Sequence, residues 1–122
     1  WLAKVLGRSL ANKVSKQEAV KLIKKFVGDK KLYLVAYVNQ FDWMGVCGLF
    51  DVKNTDDIAK LPFFWAPIDF SSILFERGIE PGIPPTKIAK KYNIDISDIN
   101  EHNALDDAKL LKRIYDKIIL NK

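Results

Sequence analysis

The only histidine of the 122-residue chain, His102, stands five positions before Asp107 in the stretch Glu101-His102-Asn103-Ala104-Leu105-Asp106-Asp107-Ala108. An imidazole exchanges protons near neutral pH and can act as a general base. A carboxylate in the next helical turn can ligate a hard divalent cation. Delivered together at the head of an amphipathic helix, the two groups point to metal-assisted attack of water on a phosphodiester. A second constellation is Val38-Asn39-Gln40-Phe41-Asp42-Trp43, where an apolar segment ends and a carboxylate follows in the first turn of the next helix. In α/β folds, sites gather beyond the carboxyl ends of strands. Each group also has a plainer role when taken singly. A first-turn Asp42 stabilises its helix dipole by about 0.3–1 kcal/mol, and a lone histidine is more often structural or solvated than catalytic.

The elements that must position these groups follow from the hydrophobic pattern. Residues 1–10 are compatible with a short helix. Ser15-Lys16-Gln17-Glu18 is a capping box, and the helix after it, to about Val27, carries Ala19, Val20, Leu22, Ile23, Phe26 and Val27 on one side and Lys21, Lys24 and Lys25 on the other. Residues 32–38 read as a strand, apolar on both faces as a central strand covered on two sides would be. Residues 41–50 read as a helix that Asn39 could cap. Residues 51–61 form a polar connector with room for one helical turn, and the proline-bounded segment 62–67 suits an edge strand. Asp69 is placed to cap a helix over 70–77 that ends at Gly78, Thr86 to cap one reaching Tyr92, and the last helix spans 104–120.

Winding that last helix at 100° per residue puts Leu105, Ala108, Leu111, Ile114, Tyr115, Ile118 and Ile119 on one broad apolar face. Asp107 falls within it, in line with Leu111, Ile114 and Ile118. Asp106 falls near Arg113 and Lys117. The winding therefore predicts Asp107 to point inward and Asp106 to be a solvated first-turn charge. An inward carboxylate is costly unless a cation or hydrogen bonds compensate it.

Composition bounds the rest. The chain suffices for one domain with a single core, and 48% apolar residues indicate a folded protein. No run approaches the ~18 apolar residues of a membrane span, and no signal-peptide layout is evident. The single cysteine, Cys47, cannot pair within the chain and suits a reducing, cytoplasmic setting; one Cys and one His cannot complete a tetrahedral zinc site. A net charge of +5 favours a polyanionic partner, although lysines that merely solvate a surface explain it equally well.

Taken together, the two constellations resemble the DEDDh group of 3′–5′ exonucleases, which have a ribonuclease H-like fold. The third motif of that group is His, four residues, Asp at the start of the last helix; His102 to Asp107 matches it, with Ala104-Leu105 and Ala108 in place. The second motif ends in Phe-Asp or Tyr-Asp after a strand; Phe41-Asp42 matches it, and Trp43 with Leu49-Phe50 is similar to the small exoribonuclease branch. The resemblance covers roughly residues 15–120. It implies the C-terminal part of a mostly helical α/β domain with one central strand. It implies two Mg²⁺ or Mn²⁺ ions about 3.5–4 Å apart, with Asp42 and Asp107 among the ligands and His102 as the base. Asn39 and Phe41 are candidate substrate contacts. The substrate would be a 3′ end of single-stranded DNA or RNA, released as 5′-mononucleotides.

The sequence departs from the group in one respect. The first motif, Asp-x-Glu, supplies the other two carboxylates, and no Asp-x-Glu occurs in this chain. The expectation is a single domain whose N-terminal strands lie elsewhere, with the chain by itself inactive, and with a homodimer or association with its own N-terminal portion as the partner arrangement. Two other readings compete. One is a non-catalytic ribonuclease H-like module kept for binding or scaffolding. The other is a helix-turn-helix over residues 86–100, disfavoured because its second helix would turn Asp98 and Glu101 toward phosphate.

Overall fold

The computed structural model describes residues 14–121; the helix expected over 1–10 lies outside them. The described residues form a small, mostly helical mixed α/β protein with six helices and two short parallel strands. The chain divides into two compact units, Trp1–Phe70 and Ser71–Lys122. Among the described residues no helix is long and apolar enough to cross a membrane.

In the first unit, α1 (Lys16–Val27) begins as the capping box requires: the Ser15 hydroxyl accepts the Glu18 N–H at 3.1 Å. Lys24 and Lys25 complement the dipole in its last turn, and Gly28 ends it at φ 65°, a conformation that costs glycine little. The expected apolar side is split. Val27 is buried, whereas Phe26 is 86% exposed.

The strand expected over 32–38 is much shorter, β1 (Val35–Ala36), and pairs in parallel with β2 (Ile68–Asp69), Val35 opposite Ile68 and Ala36 opposite Asp69. The pairing extends loosely toward the N-terminus. Leu32 N–H donates to Pro62 O at 3.2 Å, Phe64 N–H to Leu32 O at 2.8 Å and Ile68 N–H to Leu34 O at 2.8 Å. Two features keep the ladder short. Pro62 and Pro67 bring no N–H to it, and Val38 turns to φ 57°, which no strand residue adopts. Among the described residues β1 has one strand neighbour rather than two, and Val35 is half exposed, so the central, doubly covered strand is not what forms.

Helix α2 (Gln40–Leu49) follows within the same turn of chain, and α3 (Thr55–Ala59) fills the polar connector, its N–H of Asp57 received by Asn54 at 3.1 Å. Helix α4 (Phe70–Glu76) follows β2 directly and closes at Gly78, φ 78°.

In the second unit, α5 (Pro85–Lys91) packs on α6 (Ala104–Ile118). Pro84 takes the cap position of α5 and Pro85 its first turn, where a missing N–H is harmless, so Thr86 lies inside the helix rather than capping it. Ile88 and Ala89 of α5 and Leu110 and Ile114 of α6 are each at most 2% exposed. Between the two helices, residues 94–103 are turns and extended chain. The second helix of a helix-turn-helix is therefore absent. Its place is taken by a turn in which Asp95 accepts the Ser97 N–H at 2.9 Å, and Arg113 clamps Asp98 through both guanidinium nitrogens at 2.7 Å while donating to Asp95 O at 2.8 Å.

Candidate active site

Asn39, Phe41 and Asp42 lie in the first unit and His102 and Asp107 in the second.

The first group is set by the end of β1. Val38, a β-branched residue at φ 57°, makes the sharp exit from the strand, a conformation costing on the order of 1–3 kcal/mol that the surrounding bonds must enforce. Asn39 enforces it. Its backbone N–H donates to Asp69 Oδ1 at 3.2 Å and its side-chain amide to Pro67 O at 3.3 Å, tying the start of α2 to β2. Asn39 occupies the cap position of α2, but its side chain makes no capping bond: its backbone is already helical, φ −62° and ψ −17°, rather than extended as a capping residue's is. This corrects its expected role as a cap. The consequence is that Phe41 and Asp42, in the first turn of α2, both face solvent; Phe41 is 73% exposed. An exposed aromatic ring beside an exposed carboxylate can stack on a base and ligate a cation, respectively.

The second group is built on a tight turn. The Asn103 N–H donates to Asn100 O at 3.1 Å, closing Asn100-Glu101-His102-Asn103. His102 occupies the third position with φ 67°, where a type II turn demands positive φ and ordinarily selects glycine. Asn103 then caps α6, its Oδ1 accepting the Leu105 and Asp106 N–H groups at 3.1 and 3.2 Å. His102 and Asp107 are both exposed.

The burial of the two aspartates is the reverse of the winding expectation. Asp106 is buried, 8% exposed, and Asp107 is exposed. The inward stripe of α6 runs through Asp106, Leu110, Ile114 and Ile118, so Leu105, 65% exposed, is no part of it. Asp106 tolerates this position because it is well bonded. Its Oδ2 accepts the backbone N–H of Asn100 at 3.3 Å and the Asn100 side-chain amide at 3.4 Å, and its Oδ1 receives Lys109 Nζ at 2.9 Å. Lys109 first, and then the Asn100 N–H, hold the Asp106 carboxyl below its ordinary range. The expected proximity of Asp106 to Arg113 and Lys117 does not describe its bonding: the cation it meets is Lys109, while Arg113 serves Asp98 and draws that carboxyl down to about 2. The sequence reading missed Asp106, Asn100 and Lys109 as members of the site. The signal that could have found two of them is the Asp106–Lys109 spacing of three, which joins side chains on a helix surface.

The donor set for metal is incomplete. Asp42 in the first unit and Asp107 in the second are each a single carboxylate, whereas a two-ion site requires several oxygen ligands. Among the described residues no group of three or more His, Cys, Asp or Glu side chains is gathered as an ion site. The residues present do not by themselves fit a pair of divalent cations.

Comparison of the chain with protein-family models, with curated proteins and with solved structures finds no match.

Proposed function

We propose that this chain is the C-terminal part of a ribonuclease H-like exonuclease domain of the DEDDh type. With the missing Asp-x-Glu carboxylates supplied, it hydrolyses single-stranded DNA or RNA from the 3′ end to 5′-mononucleotides. The observation that carries the reading is the pairing of an exposed histidine on a tight turn with an exposed carboxylate one turn into the following helix. A parallel strand pair leading straight into Phe41-Asp42 supports it as well. In this reading His102 accepts the proton of the attacking water, Asp42 and Asp107 contribute ligands to Mg²⁺ or Mn²⁺, Phe41 stacks on a terminal base, and Asn39 fixes the position of Phe41 and Asp42. The reading places the protein in the cytoplasm, consistent with its single cysteine.

The test is a time course on a 5′-labelled single-stranded oligonucleotide with Mn²⁺. The chain alone is expected to leave it intact. A protein that carries both this chain and an Asp-x-Glu pair is expected to shorten it from the 3′ end, and His102→Ala or Asp107→Ala to abolish the ladder. Degradation by either variant at the wild-type rate refutes the assignment of that residue. A complete wild-type protein that binds the strand without shortening it supports the scaffold reading instead.

A further inference from the structure

We infer that Asp106 is the positioning residue for His102: it grips both ends of the four-residue turn that carries the imidazole. The catalytic meaning of this rests on the reading of His102 as the general base.

At the first position of the turn, Asp106 Oδ2 accepts both the backbone N–H and the side-chain amide of Asn100. At the fourth, the Asp106 N–H donates to Asn103 Oδ1. The turn closes on itself through Asn103 N–H and Asn100 O. His102 lies inside this frame with a left-handed backbone, φ 67°, that is uncommon for a non-glycine residue. Glycine would reach the same φ without strain, but it would carry no base. The frame supplies what the residue type lacks.

The inward position at the head of α6 holds a carboxylate where every other inward position, Leu110, Ile114 and Ile118, is apolar. An apolar side chain there would leave both Asn100 donors without the carboxylate that holds the first position of the turn. Asp106 therefore gives up apolar packing in exchange for control of the turn. Lys109 holds the other carboxylate oxygen, which fixes the rotamer that presents Oδ2 to Asn100. A carboxylate serves both partners at once, and the isosteric amide of asparagine can still serve Asn100 through its one carbonyl oxygen.

The experiment uses the full 122-residue chain and amide hydrogen exchange by NMR. In the wild type the Asn100 amide is expected to exchange at least about tenfold more slowly than an unstructured amide, although it lies outside any helix or strand. Asp106→Ala is expected to remove that protection, while Asp106→Asn retains it. The amides of Leu110 and Ile114 should stay protected in all three proteins, which separates release of the turn from loss of the helix. The one-bond Cα–Hα coupling of His102, which distinguishes positive from negative φ, is expected to move toward its negative-φ value in Asp106→Ala alone. An unprotected Asn100 amide in the wild type overturns the inference without recourse to any variant. So does an Asp106→Ala protein with unchanged protection and coupling. Neither readout involves metal or nucleic acid, so both decide the anchoring even if the exonuclease reading fails. In the complete enzyme, misplacing the base is expected to lower kcat by about a hundredfold with KM unchanged, and Asp106→Asn to restore most of it. An equal effect on kcat from both substitutions would show that charge, not positioning, is what Asp106 contributes.

Discussion

Replacing Asn103 with alanine tests how firmly the turn is joined to α6. In the wild type a single oxygen, Asn103 Oδ1, receives two of the otherwise unsatisfied N–H groups of the first helical turn, Leu105 at 3.1 Å and Asp106 at 3.2 Å. Alanine leaves both to water. Loss of such a cap costs about 1 kcal/mol, and with RT of roughly 0.59 kcal/mol that is about a fivefold rise in the opening equilibrium of the first turn. The effect must be local, because Leu110 and Ile114 are held by packing against α5 rather than by the cap. Hydrogen exchange at the Leu105 and Asp106 amides is therefore expected to accelerate by about fivefold, with exchange at Ile114 changing by less than about twofold. Asn103→Ser, a residue of equal capping rank, should stay near the wild type. Unchanged exchange at Leu105 and Asp106 in Asn103→Ala would show that the cap does not hold this helix end. Equal acceleration across all of α6 would show that the turn and the helix core open as one unit.

Other outcomes follow from the same geometry. The Asp98–Arg113 pair lowers the Asp98 pKa to about 2. Since the folded value lies below the ordinary one near 3.9, the pair contributes stability above that ordinary value and loses it as pH falls through 4 toward about 2. Urea midpoints measured across that window should fall less steeply in Asp98→Asn than in the wild type. Ile114, fully buried in α6, should cost about 2–5 kcal/mol when truncated to alanine, read from the same urea curves. Ser15→Ala, which removes the acceptor for Glu18 N–H, should accelerate exchange at Glu18 through a loss of about 1 kcal/mol while leaving α6 untouched. Titrating Mn²⁺ into the chain alone should broaden resonances near Asp42 and near Asp107 only at millimolar concentrations; submicromolar binding would contradict the incompleteness of the ligand set.

Much of this protein is written locally. The Ser15 capping box, the stop at Gly28 and the head of α6 near Ala104 follow from short-range chemistry, whereas the start of α2 is tied to Pro67 and Asp69 far along the chain. Cap side chains and positive-φ glycines act within four residues, so neighbouring sequence suffices to read them. The expected strand over 32–38 failed for a different reason. A continuous apolar run records which residues favour a pleated surface, but ladder length depends on the partner segment. Here the partner brings Pro62 and Pro67, and the chain leaves the pairing through Val38.

The aspartates mark the boundary most sharply. The sequence alone determined that two carboxylates open the last helix behind a histidine. Winding cannot choose between neighbours 100° apart on a helix whose apolar face is broad. The choice fell to contacts distant along the chain or outside the helix: α5 against the Leu110–Ile114 stripe, and Asn100 offering two donors to whichever carboxylate turned inward. Those donors met Asp106 and made its burial tolerable, so Asp107 was left facing solvent, the position from which a carboxylate can meet a ligand.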